Sequence, residues 1–441
     1  MSDASPFAKS VKAPILAERM ARWLYSGVWL LIMPAMVAYL LYRARKQPDY
    51  RRHWGERFGF YGVKRTSGQL IWVHAVSVGE TRAAQPLIRQ LRRLYPDHQI
   101  LLTNGTPTGR ATNAELFGHR GVLRCYLPYD FPWCVHQFLN HFKPQIGILM
   151  EAELWPNLVA VAQARQVPLA LVNARLSEKS LASGLRWSAL IRPALAGLAL
   201  IVAQTERDKS RLAQLGCQQV QVSGNLKFDV VVSDELIKLG RSWSSHLGGR
   251  QTVLLASSRD GEEQAVLTAW HSHGPRKPLL IVVPRHPERF ESVFGLINSM
   301  DVATVRRADL DAGSVARAEC LLGDSMGEMF AYYGAADLVI MGGSLLPFGG
   351  QNLIEACAAG VPVIVGPHTF NFEEVAEEAV QAGAAVRVVG AQAAVGKALE
   401  LLSKPAELEK MRQAALSFAS LHRGATVVTM NAMAPLMIAK A

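Results

Sequence analysis

The chain has 441 residues, half of them apolar and 19% charged, which excludes bulk disorder and is too long for one compact domain. Five scattered cysteines (Cys125, Cys134, Cys217, Cys320, Cys357) form no CxxC pair, which argues against a disulfide scaffold or a cysteine zinc site and fits a reduced compartment. Of the +11 formal charge, +8 falls in residues 1–65, which hold 12 Lys/Arg against 4 Asp/Glu, so the nearly neutral remainder argues against nucleic acid as a partner.

The first element explains that clustering. Trp23 to Tyr42 contains no charged residue. Twenty residues rise about 30 Å as a helix, roughly the hydrocarbon thickness of a bilayer. Trp23, Tyr25, Trp29, Tyr39 and Tyr42 sit mostly near its ends, as in an interfacial belt. Arg43, Arg45, Lys46, Arg51, Arg52 and Arg57 follow, a cluster suited to an anionic membrane surface. The heavier basic flank on the C-terminal side places the rest of the chain in the cytoplasm. A cleaved signal peptide fits poorly, because 22 residues precede a long apolar run. A buried core helix is the alternative, and Ser26 and Pro34 leave a tilted or shallow anchor open.

Beyond residue 65, short apolar runs alternate with amphipathic stretches. QLIWVH, QILLT, IGILM, PLALV and LIVAQ read as buried strands, with helices starting near Glu80, Thr106, Pro132, Leu154 and Thr205. The pattern restarts at TVLLAS and runs through PLLIVVP, AECLLG, DLVIMGG, VPVIVG and AAVRVV. Such alternation predicts two α/β domains, each a doubly wound parallel sheet, facing one another across a cleft. Ligands then bind beyond the carboxyl ends of the strands.

In the first half, HAVSVGE puts Glu80 in a first helical turn. The helix dipole favours its ionised form, and it reads equally as a general base or as a capping glutamate. MEAELWPN puts Glu151 at a strand end, with Glu153 two residues on. The pair suits positioning an acceptor or orienting a base, although Glu153 reads better as an acidic first turn. GNLKFD offers Lys227, either an electrostatic partner for an anionic leaving group or a solvated lysine.

In the second half, a Pro284-Arg285-His286-Pro287 corner can aim a guanidinium at phosphate or carboxylate. In GDSMGEM, Asp324 or Ser325 is the expected helix cap, leaving the N–H groups of Met326, Gly327 and Glu328 for an anion. Gly349 and Gly350 allow close backbone approach ahead of an expected first turn from Asn352 to Glu355. There Glu355 suits the two hydroxyls of a ribose. His286 and His368, beside prolines, read as structural or ligand contacts. No P-loop, GxGxxG after a first strand, HExxH or Asp-rich metal motif is present, so neither a metal nor a cofactor is required.

HAVSVGE, TNGTPTGR, MEAELWPN, GNLKFD, VPRHPERF, DSMGEM and GGQNLIEACAAGVPVIVGPHTFNFEE occur in this order. Together they resemble the 3-deoxy-D-manno-octulosonic acid (Kdo) transferases of lipopolysaccharide synthesis, from about residue 20 to the C-terminus. The loop departs from the family pattern at Gln351 and Ala356, where His and Pro are expected.

The resemblance implies a GT-B fold of two Rossmann-like domains with an N-terminal membrane anchor. It implies a CMP-Kdo donor and a lipid A precursor as acceptor. It makes Glu80 the general base and Glu151 and Lys227 transition-state stabilisers. It assigns CMP contacts to Pro284 and Arg285, to Met326, Gly327 and Glu328, and to Asn352, Leu353, Ile354 and Glu355. The expected organisation is a tail (1–22), the anchor (23–42), an acceptor domain (43–228), an inter-domain linker (229–250), a donor domain (251–415) and a C-terminal helix (416–441) placed to pack back on the first domain. The expected protein is an inverting glycosyltransferase of the bacterial inner membrane with cytoplasmic domains. A GT-B enzyme using a UDP-sugar on another membrane lipid and a non-catalytic, membrane-tethered sugar-nucleotide binder are the alternatives.

Overall fold

A computed structural model describes residues 16–64, 68–118, 121–229, 232–246, 250–273, 278–310 and 318–438. Most of the expected N-terminal tail lies outside them. The chain divides into a first unit, residues 1–229 with 424–441, and a second, residues 230–423.

The first unit is built on seven parallel strands: β1 (Leu70–His74), β2 (Gln99–Asn104), β3 (Leu123–Tyr126), β4 (Ile146–Met150), β5 (Leu169–Ala174), β6 (Leu200–Ala203) and β7 (Val220–Val222). Their order is β3-β2-β1-β4-β5-β6-β7, the doubly wound arrangement. Successive residues of β1 enter opposite faces. Leu70 and Trp72 join one core layer, and Ile71 and Val73 join the other. Both layers are closed, so the central strands are mostly apolar, with polar residues such as His74, Asn104 and Asn173 near their carboxyl ends. Gly147 of β4 is fixed by this packing, because a Cβ there would lie 2.6 Å from the Trp72 ring.

The first unit also recovers the end of the chain. The helix Ala425–Ile438 lays Met430, Met433 and Leu436 into the second core layer. Asp229 fixes its start by accepting from Gly424 N (3.0 Å) and Thr426 N (2.6 Å). The boundary expected at residue 416 falls instead inside the helix Pro405–Leu421, whose Met411 packs in the second unit's core.

The second unit holds β8 (Thr252–Ser258), β9 (Leu279–Pro284), β10 (Thr304–Arg306), β11 (Cys320–Leu322), β12 (Leu338–Met341), β13 (Val363–Val365) and β14 (Ala385–Arg387). All pair in parallel, in the order β10-β11-β9-β8-β12-β13-β14. The stretch read as an inter-domain linker is mostly the helix Asp234–His246 of this unit. Its Gly240 lies so close to the backbone of Ala331 that a Cβ would sit 1.9 Å from the carbonyl oxygen. The charged face of LIKLGRSW masks this helix-on-helix contact in the sequence.

The N-terminal helix spans Leu16–Lys46 and carries Pro34 inside it. It is long and apolar enough to cross a membrane, and very little of its apolar stretch is buried. One face nevertheless docks on the first unit. Trp29 meets Tyr129, Phe131 and Trp155, with ring centroids about 6 Å apart. The Tyr25 hydroxyl donates to Asp130 Oδ2 at 3.1 Å. Asp130 also accepts from Asn157 N (3.0 Å) and Leu158 N (2.7 Å), so it caps the helix Pro156–Ala164.

One residue leaves the expected basic collar. Arg57 is buried, donates to the Gly105 carbonyl and lies 4.0 Å over the Tyr126 ring. Arg43, Arg45, Arg51 and Arg52 remain exposed.

Burial pushes the Asp130 carboxyl up from 3.8 to about 6, against the pull of the two N–H groups and the Tyr25 hydroxyl. A buried acid of this kind binds its proton more tightly when folded. Its contribution is therefore present below about pH 4 and is lost as pH rises through about 6, a displacement worth about 3 kcal/mol. Urea unfolding should show stability falling across this window. In Asp130→Asn that part of the slope should vanish, and an unchanged slope would remove Asp130 as its source.

Candidate functional site

In the first unit, chemistry gathers where strand order reverses, between the carboxyl ends of β1 and β4. After His74 the chain turns through Ser77, which caps the helix Val78–Ala83. The Ser77 hydroxyl donates to Glu80 Oε1 at 2.9 Å and accepts from Glu80 N at 3.3 Å. Glu80 Oε2 accepts from Val76 N at 2.8 Å. This is a variant of the capping box in which the carboxylate reaches Val76 N, one residue before the N-cap, so Glu80 does act as a capping residue. It does not exhaust the carboxylate, since each oxygen keeps a further lone pair.

The helix terminus favours the ionised form of Glu80, and burial works against it. Burial raises its pKa above the ordinary value. The N–H of Val76 and the hydroxyl of Ser77 pull it back, and Glu153 and Glu151 add repulsion in the upward direction. Three carboxylates therefore sit within electrostatic reach of one another.

Glu151 follows β4 with φ of 56°, the left-handed region that non-glycine residues avoid. Lys227 Nζ lies 3.0 Å from Glu151 Oε1 as an ion pair whose angle falls short of a hydrogen bond. Lys227 is held by the turn Leu226–Phe228, which Asn225 caps through its Lys227 N contact at 3.0 Å. Glu153 accepts from Trp155 Nε1 at 2.8 Å and lies 3.7 Å from His74 Nε2. His74 is buried, with Nδ1 2.9 Å from Thr103 Oγ1 and Nε2 without a hydrogen bond. HAVSVGE contains His74, which its sequence position alone does not mark as part of the site. A histidine ending an otherwise apolar strand was the available signal.

In the second unit the expected residues also lie at carboxyl ends of strands. Pro284 ends β9, and Arg285 N donates to Ser258 O at 3.0 Å. Among the described residues the Arg285 guanidinium makes no hydrogen bond or ion pair, but it lies near enough to lower the pKa of Glu355. Burial acts first and in the opposite direction, holding Glu355 above the ordinary carboxylate range. Leu353 and Ile354 are buried. Asn352 Oδ1 accepts from Ile354 N at 3.1 Å, and the helix runs Ile354–Ala358, two residues later than expected.

Neither Asp324 nor Ser325 caps the helix Met329–Ala335. Asp324 is taken by Arg306 Nε at 2.6 Å, and Ser325 Oγ donates to Glu328 Oε2 at 2.5 Å. Glu328 is also gripped by two Arg307 nitrogens, each at 3.1 Å. Its carboxylate is thus occupied. Met326 is exposed and Gly327 has φ of 80°, with open space where a Cβ would be.

Sequence reading missed the Arg259–Glu262 turn after β8. Glu262 is fully buried and accepts from Arg259 N, Gly343 N and Leu345 N at 2.9, 2.6 and 3.0 Å. It ties the β8 and β12 tips together at the second switch point. Arg259 Nη1 lies 2.7 Å from His286 Nε2. The acidic pair in SRDGEE was the available signal.

A family model described as 3-deoxy-D-manno-octulosonic-acid transferase matches residues 52–230, and one for glycosyl transferases group 1 matches residues 301–418. The chain is 45% identical to the 3-deoxy-D-manno-octulosonic acid transferase of Bordetella pertussis, over 86% of this chain and 90% of that one. The chain belongs to the Kdo transferase family. The Haemophilus influenzae member is 35% identical over 94% of this chain and 99% of its own length. UDP-GlcNAc 2-epimerase from Neisseria meningitidis shares the fold at 15% identity and a TM-score of 0.53, over 83% of this chain and all of that one. As a Kdo transferase the chain is a glycosyltransferase of lipopolysaccharide synthesis, with two parallel seven-stranded sheets in a GT-B-like fold.

Proposed function

We propose that this Kdo transferase moves Kdo from CMP-Kdo to a hydroxyl of the phosphorylated, acylated glucosamine disaccharide that precedes lipid A. It works at the cytoplasmic face of the bacterial inner membrane, held by its single N-terminal helix. The observation that carries the reading is the group formed by Glu80, Glu151 and Lys227 at the first sheet's switch point. Glu80 is a half-buried carboxylate that burial makes a stronger base than an ordinary exposed one.

Departure of CMP leaves an oxocarbenium-like centre and adds charge on the phosphate. Lys227 offsets that charge, and Glu151 orients Lys227. Glu80 takes the proton of the attacking hydroxyl on the opposite face of the sugar, which inverts the anomeric centre. Pro284 and Arg285 meet the nucleotide phosphate with backbone from Met326, Gly327 and Glu328. Asn352, Leu353 and Ile354 contribute backbone contacts, and Glu355 takes the ribose hydroxyls. These cations supply the electrostatic work, so the proposal assigns no metal and no cofactor.

Donor identity is tested by heat. CMP at a hundredfold excess over its dissociation constant should stabilise the protein by about 2.7 kcal/mol, a shift of several degrees. UDP should give little, and Arg285→Ala should lose most of the CMP shift. Equal protection by UDP would favour a UDP-sugar donor and contradict the reading.

A further inference from the structure

The first unit contains an apolar cavity of about 770 Å³ that the chemistry above leaves unused. Small-molecule sites usually span roughly 300–1,000 Å³. Ala21, Leu24 and Val28 of the N-terminal helix form one wall. Leu190 and Ile191 of the helix Ser188–Ala196 form the other, and Leu171 lies on the floor. Among the described residues no side chain fills this space, and an unfilled apolar volume costs stability in proportion to its size.

We propose that the cavity is an acyl-chain site, taking a fatty acyl tail of the acceptor while Arg175 and Arg186 at its rim face the acceptor's phosphates. The inference rests on the Kdo-transfer reading above and adds a specificity element to it. Three observations select this occupant. One wall is the membrane-type helix, whose Trp23 and Leu31 are 73% and 82% exposed, so a tail passes from lipid into the cavity without crossing water. One end of the cavity is lined by Glu151 and Ala152, which ties the tail's position to the reacting hydroxyl near Glu80. The rim is basic, since Arg175 is exposed and Arg186 lies 5.4 Å over the Trp187 ring. A nucleotide, the competing ligand, would bury much of its polar base and sugar against walls that are mainly apolar.

The test uses full-length protein in detergent with CMP-Kdo and two acceptors, the tetra-acylated disaccharide bisphosphate and its fully deacylated form. The wild type should prefer the acylated acceptor in kcat/KM. Ala21→Phe and Ser188→Phe narrow the cavity from opposite walls and should reduce that preference at least about tenfold, since one methylene in an apolar pocket is worth roughly 10–200-fold. An unaltered preference in both variants overturns the acyl site. If a variant does not fold, a wild-type cross-link decides. An acceptor carrying a diazirine at the end of an acyl chain should label residues 16–30 or 171–195, and labelling confined elsewhere overturns the proposal. Equal transfer to both acceptors by the wild type sinks the acyl site and leaves Kdo transfer standing. Labelling of the cavity without any transfer sinks the Kdo-transfer reading instead.

Discussion

Glu80→Gln is expected to keep donor binding and to lose Kdo transfer by about 10²–10⁴-fold, the usual contribution of a positioned general base. The amide is nearly isosteric and is itself a capping-box residue, so the turn at Ser77 and Val76 should survive. What it cannot do is accept a proton from the attacking hydroxyl. The pH profile gives a second readout. Burial raises the Glu80 pKa and the neighbouring Glu153 and Glu151 carboxylates add to it. The base works deprotonated, so wild-type kcat/KM should climb with pH through a limb lying above the ordinary carboxylate range. That limb should disappear from the residual activity of the variant. Turnover near that of the wild type would leave Glu80 as a cap and nothing more.

Lys227→Ala is expected to lower kcat by about 10²–10³-fold, comparable to removing one preorganised donor from a developing anion. The ammonium is only partly exposed and stands 3.0 Å from Glu151 Oε1. This pairing could be read as structural alone, because removing one partner of a part-buried pair leaves the other charge uncompensated. The two roles separate in experiment. A purely structural lysine would lower the melting temperature and leave kcat intact at a permissive temperature. A lysine that meets the leaving phosphate loses kcat even where the fold is intact, and Lys227→Arg restores part of it by retaining the charge. Unchanged kcat in a folded Lys227→Ala protein would contradict the assignment.

The strand pattern was legible where strands are central. β1, β2, β4, β5 and β6, with β8, β9, β11, β12 and β13, are short apolar runs because both sheet faces are covered, and one edge strand, β14, was read as well because AAVRVV is mostly apolar. The three strands not read from the sequence are β3, β7 and β10, and each lies at a sheet edge. They are three or four residues long and carry Arg124, Gln221 and Arg306. Edge strands are commonly short and polar, which discourages pairing with other chains and removes the hydrophobic signal. The return of the last helix was legible as a possibility. Its start depends on Asp229 reaching Gly424 and Thr426, some 195 residues away, and no local pattern reports that.

At the site, the sequence showed which residues stand at strand tips but not what holds them. SVGE carries the capping box openly, since Ser and Glu three residues apart before a helix is its signature. The opposing effect of burial on Glu80 was not visible, because it depends on how the strand tips pack around the carboxylate, and the lesser repulsion comes from Glu153 and Glu151 on another strand. Asp324 shows the same limit. Its expected capping role is displaced by Arg306, which reaches it from the neighbouring edge strand β10. Arg57 sits in a basic run and reads as membrane-facing, yet the Gly105 carbonyl and the Tyr126 ring draw it inward.

We propose Kdo transfer to a lipid alcohol with Glu80 as the base. Mass spectrometry of the tetra-acylated precursor after incubation with CMP-Kdo and full-length protein tests it most directly. Wild-type protein should convert the precursor to a species carrying added Kdo and release CMP in step, and Glu80→Gln should leave the precursor mass unchanged over the same interval. An unaltered precursor with the wild-type protein, or equal conversion by both proteins, would contradict the account.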